Sequence, residues 1–343
     1  MKDSRIKQLW SEIDEIPFHP RIIREPLGTI FFSLPDIPAY IFQNMVKQFP
    51  LFPQTPPFFY PYKRNAFSKK IFTIKKGLKL KAEIGERKNN ERTIVLVHGI
   101  FQSKNFRFIR NIANHLYEDY SFNVIIVDMR DHLGTAFLSP YFPASAGLLE
   151  GEDILEIASQ FRVKNRTSKI FLLGFSYGGA VVLNALNFTK AKDVISGVIA
   201  VSPTMILDHA IQHIDRRPAF FEPFHSIYNL FKLCLRLRYG VSIRTFDKYI
   251  ENSAKSYGYK KKEMMKRSSV TEFIKRIEVP TLMLLSKDDS VIPEGDIEAV
   301  VEQSRSNENI KILVKEQGGH IAFSFIAPVW FFKVIDTFCN VSL

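Results

Sequence analysis

The stretch KIFLLGFSYGG, residues 169–179, decides the fold of this 343-residue chain. Its first half is a short apolar run typical of a buried strand, and a helix-forming segment begins at Gly179. Gly174 and Gly178 stand two residues on either side of Ser176, so the chain can turn sharply there and present the serine hydroxyl at the tip of the strand. A G-x-S-x-G sequence also occurs by chance in loops. Its position between a strand and a helix favours a nucleophilic serine.

The segments on both sides of this stretch alternate between strand and helix. Apolar, β-rich runs separated by helix-period segments predict βαβ units and a mostly parallel sheet flanked by helices. The first two strands are expected to form an antiparallel pair with a turn at Gly77. The predicted strands are KIFTI (70–74), LKLKAEI (78–84), TIVLV (93–97), NVIIVD (123–128), KIFLLG (169–174), VISGVIAVS (194–202), PTLMLLS (280–286) and NIKILVK (309–315). The predicted helices cover 106–117, 148–161 and 179–188, a segment after Pro293, and a final segment ending near Cys339.

Two regions interrupt this alternation. Residues 1–62 are rich in proline and aromatic residues, which predicts an arm that wraps over the rest of the chain in short pieces. Residues 63–343 then form the main domain, and about 204–277 is a helical insertion, a cap over the carboxyl edge of the sheet. The aromatic side chains of this cap either line an acyl pocket or simply pack the cap onto the sheet: Phe220, Phe221, Phe224, Tyr228 and Phe231.

A nucleophilic serine needs a base and an acid that orients the base. His320 follows the last strand in a glycine-rich loop, and its imidazole is suited to accept the serine proton. Asp288 and Asp289 follow the preceding strand. We favour Asp289 because D-x-x-[VI]-P is the usual spacing of this loop in α/β-hydrolases, which leaves Asp288 as a loop-capping residue. Asp208 is an outside alternative.

The chain order Ser176, Asp289, His320 agrees with this interpretation independently of the serine motif. The turn His98-Gly99-Ile100 closes an earlier strand, where the Ile100 backbone N–H, together with that of Tyr177, can face the oxyanion of a tetrahedral intermediate. We expect His98 to brace this loop by hydrogen bonding.

The distribution of charge along the chain bears on its binding partners. Its net charge of +12 is concentrated in residues 63–88, with ten basic and two acidic residues, and in residues 255–276, with eight and two. These clusters favour a solvated face or contact with an anionic membrane, and they lack a nucleic-acid-binding motif. Cys234 and Cys339 are expected to be free thiols.

No signal peptide or membrane-spanning segment is recognised, so we expect a cytoplasmic, soluble protein able to touch a membrane surface. His209 and His213 have a metal-binding spacing without a third ligand, and a solvated or core-edge pair is the better interpretation. Nothing in the sequence calls for a metal or an organic cofactor.

From about residue 69 onward the chain resembles the YheT-like α/β-hydrolases, a bacterial esterase group akin to abhydrolase-domain lipid hydrolases. The resemblance rests on the His98-Gly99 turn, GFSYGG at 174–179, the final GGH at 318–320, and the passage SIRTFDKY at 242–249 followed by FIKRIEVPTLMLLSKDDSVIP at 273–293. It implies an α/β-hydrolase fold and a serine esterase with Ser176, Asp289 and His320 at the triad positions. Tyr177 departs from the Leu more usual in this group, which bears on the shape of the pocket.

The sequence therefore predicts a serine hydrolase that cleaves carboxylic esters, either acyl lipids or small acyl esters, through a Ser-His-Asp triad and an acyl-enzyme, without a cofactor. Three alternatives use the same residues or the same fold. An amidase or peptidase and an acyltransferase would share the triad, because the fold does not determine the substrate. A non-catalytic, membrane-associated binding protein is the third, although the intact serine motif, HG turn and histidine loop argue against a decayed site.

Overall fold

A computed structural model describes residues 2–20, 66–88, 90–165, 168–216, 243 and 245–340. The described residues form one eight-stranded sheet with helices on both faces, in the strand order β1-β2-β4-β3-β5-β6-β7-β8. β2 runs antiparallel to both of its neighbours, and the pairs from β4 through β8 are parallel. The predicted antiparallel pair at the start of the domain and the mostly parallel sheet are confirmed.

The strands follow the apolar runs closely. They are β1 (Phe67–Thr73), β2 (Lys79–Gly85), β3 (Arg92–Val97), β4 (Asn123–Val127), β5 (Lys169–Phe175), β6 (Gly197–Val201), β7 (Thr281–Ser286) and β8 (Ile310–Lys315). The helices are α1 (Lys2–Asp14), α2 (Arg107–Glu118), α3 (Leu133–Leu138), α4 (Leu148–Lys164), α5 (Tyr177–Asn184), α6 (Ala191–Val194), α7 (Leu207–Arg216), α8 (Phe246–Ser256), α9 (Lys261–Ser268), α10 (Glu294–Ser304), α11 (Phe323–Ile326) and α12 (Pro328–Asn340).

The burial of each strand explains its sequence. Every residue of β4, β6 and β7 is buried, because helices cover both faces of the central strands, and these strands are accordingly continuous apolar runs. Only Phe67 and Phe72 are buried in the edge strand β1. The order of parallel strands places the carboxyl ends of β3, β5, β6, β7 and β8 side by side, and the predicted site residues follow β3, β5, β7 and β8.

The N-terminal segment departs from the prediction of short pieces. Residues 2–14 form a helix of 13 residues, because the first proline of the chain is Pro17 and the preceding segment carries an apolar stripe. Trp10 on this helix stacks on Phe338 of α12 and donates a hydrogen bond from Nε1 to the Glu308 carbonyl oxygen at 2.9 Å. Phe18 then packs edge-on against Trp330. Residues 2–20 are thus fastened to α12 and to the segment just before β8.

Between β6 and β7 the described residues are mainly helical and contain α7, α8 and α9. The cap aromatic residues 220, 221, 224, 228 and 231, as well as Cys234 and most of the N-terminal arm, lie outside the described residues. The domain boundaries at 62 and 63 and the cap limits at about 204 and 277 therefore stay predictions.

The helices depart from the prediction in two ways. First, α5 begins at Tyr177, directly after Ser176 and two residues before the predicted start at Gly179. Second, the short helix α3 was not expected, since its sequence LGTAFL has no amphipathic period long enough to read. Tertiary contacts hold it in place: Thr135 Oγ1 accepts a hydrogen bond from the Lys81 backbone N–H at 3.0 Å and donates one to the Asp128 carbonyl oxygen at 2.7 Å.

A buried charge cluster lies between β2 and the loop after β3. The Glu83 carboxylate accepts hydrogen bonds from Arg110 at 2.6 Å and from Lys104 at 3.0 Å. The Lys104 backbone N–H donates to Asp128 Oδ1 at 2.8 Å. Burial by itself would raise the pKa of Glu83, but the hydrogen bond from Arg110 and the charges of Lys104 and Arg110 lower this pKa to about 2. The cluster thereby ties the loop after β3 to two neighbouring strands.

Replacing Glu83 by glutamine is expected to lower the free energy of unfolding at pH 7 by about 3 kcal/mol. The folded-state pKa lies below the unfolded value, so the Glu83 contribution is present above pH 4.5 and is lost as the pH falls toward 2. Urea unfolding of both proteins across this range measures the effect, and their stabilities should converge at low pH. Glu86→Gln, at an exposed position after β2, is the control. An equal loss in the control would contradict the prediction.

No helix within the described part of the chain combines the length and apolar character needed to cross a bilayer. The cytoplasmic location stays a prediction.

Candidate functional site

Ser176 occupies a strained turn between β5 and α5. Its backbone has φ 54° and ψ −120°, and its N–H donates to the Val201 carbonyl oxygen at 2.9 Å. A Cβ atom at Gly174 would collide with the Gly178 carbonyl, and one at Gly178 would collide with the carbonyl oxygen of His98. The two glycines are therefore needed for close backbone approach, and the turn projects Ser176 at the carboxyl edge of the sheet.

Replacing Gly178 by alanine is expected to destabilise the protein by at least about 2 kcal/mol and to reduce activity, because backbone must move to admit the methyl group. Thermal unfolding and ester hydrolysis measure the two effects. Gly295→Ala on α10 is the matched control, since a Cβ atom added at Gly295 would meet no neighbouring atom within 4 Å. The control should change stability by less than about 1 kcal/mol. A harmless Gly178→Ala variant would show that the close approach is not required.

The structure brings Ser176, His320 and Asp289 together from three different segments. Ser176 Oγ donates a hydrogen bond to His320 Nε2 at 2.8 Å. His320 Nδ1 lies 3.0 Å from each carboxylate oxygen of Asp289. All three side chains are largely shielded from solvent, since Ser176 is 8% exposed and the side chains of His320 and Asp289 are 3% and 1% exposed. The three groups form a continuous hydrogen-bonded series from hydroxyl to imidazole to carboxylate.

The two adjacent aspartates have different partners. Asp289 Oδ1 also accepts the backbone N–H groups of Val291 at 2.8 Å and Ile292 at 3.0 Å, which hold the carboxylate toward the imidazole. Asp288 Oδ1 accepts the backbone N–H groups of Gly318 at 3.0 Å and Gly319 at 2.9 Å. Asp288 therefore supports the loop that carries His320, and Asp289 contacts the ring itself.

Asp208, the other acid considered, is exposed in the first turn of α7. The His320 ring is hydrogen-bonded to Asp289. The geometry thus favours Asp289 over Asp208 as the partner of the imidazole.

Two histidines brace the loop that contains Ile100. His98 Nδ1–H donates to the Gly99 carbonyl oxygen at 2.8 Å, and its Nε2 accepts the Met129 backbone N–H at 3.3 Å. The predicted bracing role of His98 is therefore confirmed. The Gly99 N–H in turn donates to Gln102 Oε1 at 2.9 Å, which closes the loop on itself.

His132 makes the reciprocal pair of contacts. Its Nδ1–H donates to the Arg130 carbonyl oxygen at 2.8 Å, and its Nε2 accepts the backbone N–H of Phe101 at 3.2 Å. The rings of His98 and His132 lie 5.0 Å apart. Each ring thus joins the loop after β3 to the loop after β4, and the backbone around Ile100 is held from both sides.

Tyr177 is the first residue of α5, where a backbone N–H has no acceptor within its own helix. Its phenol donates to Glu150 Oε1 at 3.1 Å and accepts the Gly147 backbone N–H at 2.8 Å. Glu150 is 1% exposed and also accepts the Ser145 backbone N–H at 2.7 Å. Burial, and then the Glu150 charge, raise the pKa of Tyr177 well above its usual value. The phenol therefore stays protonated and anchors the start of α5.

The polar residues beneath the cap were not found from the sequence. Arg130 forms a buried, bidentate pair with Asp153 through Nε and Nη2, each at 2.8 Å, and its Nη1 donates to the Tyr257 hydroxyl at 2.9 Å. Tyr257 directly follows α8, so this network joins the cap to the core. Arg130, Asp153 and Glu150 carry no local motif, because their partners lie on other segments.

His209 and His213 do not face a common ligand position. His209 Nδ1 lies 2.6 Å from Asp296 Oδ1 on α10, and His213 Nε2–H donates to the Ser290 carbonyl oxygen at 3.1 Å. Burial raises the pKa of Asp296, although His209 opposes that shift. The pair fastens α7 to α10 and to the loop that carries Asp289.

Comparison with known proteins places the chain in a family. Residues 88–323 match the model of the family described as Serine aminopeptidase, S33, which covers more than half of the chain. Among curated relatives, the monoacylglycerol lipase of Saccharomyces cerevisiae is 22% identical over 251 residues, which are 67% of this chain and 54% of the lipase. The chain therefore spans about half the length of that relative. Esterase YbfF of Escherichia coli is 30% identical over 136 residues, 40% of this chain and 48% of the esterase.

Solved structures agree on the fold. The esterase Pf2001 of Pyrococcus furiosus superposes with a TM-score of 0.57 at 17% identity, over 84% of this chain and 96% of that one. The narrower resemblance to the YheT-like group stays a prediction. The chain belongs to the S33 serine aminopeptidase family of α/β-hydrolases, and it is a serine hydrolase related to esterases and a monoacylglycerol lipase.

Proposed function

We propose that Ser176, His320 and Asp289 are a catalytic triad that hydrolyses carboxylic esters through an acyl-enzyme. The observation that carries the proposal is the hydrogen-bonded series from Ser176 Oγ through His320 to Asp289, with distances of 2.8 and 3.0 Å. These distances lie within the range that proton transfer between a nucleophile and its base requires. The position of Ser176 at a strained turn before a helix supports the same role.

In the proposed reaction, Ser176 Oγ attacks the ester carbonyl carbon while His320 Nε2 takes the hydroxyl proton. Asp289 stabilises the imidazolium that forms. The tetrahedral intermediate collapses, the C–O bond to the alcohol breaks, and His320 returns its proton to the departing alcohol oxygen. A water molecule then gives a proton to Nε2 and attacks the acyl carbonyl. The acid is released, and the proton goes back to Ser176.

The oxyanion of each tetrahedral intermediate would be bound by the backbone N–H groups of Ile100 and Tyr177. Support for this comes from the rigid surroundings of both residues: histidine rings brace the loop around Ile100, and the Glu150 carboxylate anchors Tyr177. Preorganised donors of this kind are worth about 10²–10³ in turnover each.

An acyl ester is the substrate class that best fits the described residues. Phe101 follows Ile100 directly, and its ring lies 5.8 Å from that of Phe246 on the cap helix α8. We call the loop around Ile100 and Phe101 the oxyanion loop. An apolar contact between the cap and this loop favours an apolar acyl group over a charged one. Two relatives, an esterase and a monoacylglycerol lipase, carry names that agree with this class.

The test is labelling of the purified protein with a fluorophosphonate, with mass spectrometry to locate the adduct. Label on Ser176 and hydrolysis of p-nitrophenyl esters are the expected results. Absence of label on folded protein would overturn the proposal and favour a non-catalytic binding protein.

Amide hydrolysis is the second candidate, because the family description names a serine aminopeptidase. Esters and p-nitroanilides that share one acyl group separate the two activities. Faster cleavage of the ester at the level of kcat/KM supports the proposal. Preferential cleavage of the anilide would identify an amidase or peptidase.

A further inference from the structure

We propose that α3 and the loop after it, together with the β1–β2 hairpin, form a surface that binds anionic lipid bilayers. This membrane surface is defined by two parts. The apolar part is residues 133–147, and the basic part is residues 69–81. Binding through this surface does not depend on hydrolysis.

The apolar part exposes side chains that are normally buried. Phe137 is 36%, Leu138 37% and Tyr141 90% exposed, and residues 133–147 contain no charged residue. Six large hydrophobic side chains are exposed among the described residues, and three of them lie within residues 137–141. Isolated exposed apolar residues need no explanation, but a cluster on an uncharged loop indicates an interaction site.

The basic part supplies the matching charge. Residues 69–81 contain six lysines and no acidic residue. Lys75 pairs with Glu152, whereas Lys69, Lys70 and Lys79 have no ion pair within the described part of the chain. Lys81 lies directly across from Ile71, a further exposed apolar residue at 50%, so both side chains leave the same face of the hairpin. Exposed lysines beside apolar and aromatic side chains fit the headgroups and interface of an anionic bilayer.

Hydrogen bonds join the two parts into one surface. Ser139 Oγ accepts the Lys79 backbone N–H at 2.9 Å and donates to the Lys79 carbonyl oxygen at 3.2 Å. Thr135 makes the equivalent contact with the Lys81 N–H one turn earlier. α3 therefore runs alongside β2, and Phe137 and Leu138 lie next to the lysine-bearing strand.

The membrane surface also adjoins the candidate active site. His132, which precedes α3, holds the Phe101 backbone N–H in the oxyanion loop. At the other end of the segment, the carbonyl oxygens of Pro143 and Ala144 accept hydrogen bonds from Tyr257 and Ser253 at the cap. A bilayer bound at residues 137–141 would thus contact the segment that joins the cap to the oxyanion loop.

The experiment is co-sedimentation of the full chain with vesicles of phosphatidylcholine, with and without phosphatidylserine, at low and high salt. We expect binding that requires phosphatidylserine and weakens with salt. Tyr141→Ser and the double charge reversal Lys69→Glu/Lys79→Glu, all at exposed positions, should each reduce the binding constant about tenfold. The control Val163→Ser changes an exposed residue of α4, 75% accessible, and should bind like the parent chain.

Hydrolysis of a water-soluble ester should be the same in all four proteins, which shows that the variants are folded. Two results would overturn the proposal. One is a parent chain that does not bind phosphatidylserine vesicles. The other is binding that both surface variants leave intact, which would assign the contact to another part of the chain such as residues 21–65.

Discussion

Replacing Ser176 by alanine is expected to lower kcat for a p-nitrophenyl ester by about 10⁵–10⁶-fold. The alanine retains the Cβ atom and the strained backbone of the turn, so only the nucleophile is lost. His320 and Asp289 then have no hydroxyl to activate, although the oxyanion donors remain. Steady-state hydrolysis measures the loss, and thermal unfolding should show a melting temperature close to that of the parent chain.

A fluorophosphonate probe provides the control for this variant. The parent chain should be labelled at Ser176, and Ser176→Ala should carry no label at any other residue. Substantial ester hydrolysis by a folded Ser176→Ala protein would show that the nucleophile lies elsewhere.

The neighbouring aspartates provide the second large expected effect. Asp289→Asn should lower kcat about 10⁴-fold, because an amide in contact with His320 Nδ1 no longer selects the tautomer or stabilises the imidazolium. Asp288→Asn is the matched variant on the adjacent residue. Its side chain contacts the Gly318 and Gly319 amides, so it should lower kcat by less than about 10²-fold and act mainly on stability.

The pH–rate profile distinguishes the two aspartates. Asp289→Asn should change the acidic limb of the profile, where protonation of the imidazole removes the general base, whereas Asp288→Asn should leave the shape of the profile unchanged. A larger loss of kcat in Asp288→Asn than in Asp289→Asn would exchange the roles of the two residues.

The strands of the sheet could be predicted because each one carries its own signal, a short run of apolar residues. β4, β6 and β7 are buried on both faces, so their composition alone marks them as strands. Elements that depend on contacts with distant segments were not predicted, because the local sequence carries no signal of those contacts. α3 has a weak helical pattern of its own and depends on hydrogen bonds between Thr135 and β2. The helix at residues 2–14 was not predicted, because residues 1–62 were treated as one proline-rich segment although the first proline is Pro17.

The candidate site divides in the same way. Gly174, Gly178 and the order of Ser176, Asp289 and His320 are readable in the chain, since a sharp turn needs glycine and parallel strands bring their carboxyl ends together. The spacing D-x-x-[VI]-P favoured Asp289 over Asp288, and the loop geometry shows what holds each carboxylate in place. The backbone amides of Val291 and Ile292 orient Asp289, and those of Gly318 and Gly319 engage Asp288.

The sequence by itself thus determined the class of fold and the candidate nucleophile and base, because these depend on residue type and on periodicity along the chain. Only the tertiary structure decided how the site is supported. Glu150 contacts Tyr177, His132 contacts the loop around Ile100, and Arg130 contacts Tyr257, so each acts through a partner on another segment. Such contacts leave no periodic trace, since a hydrogen bond between segments depends on packing and not on spacing along the chain.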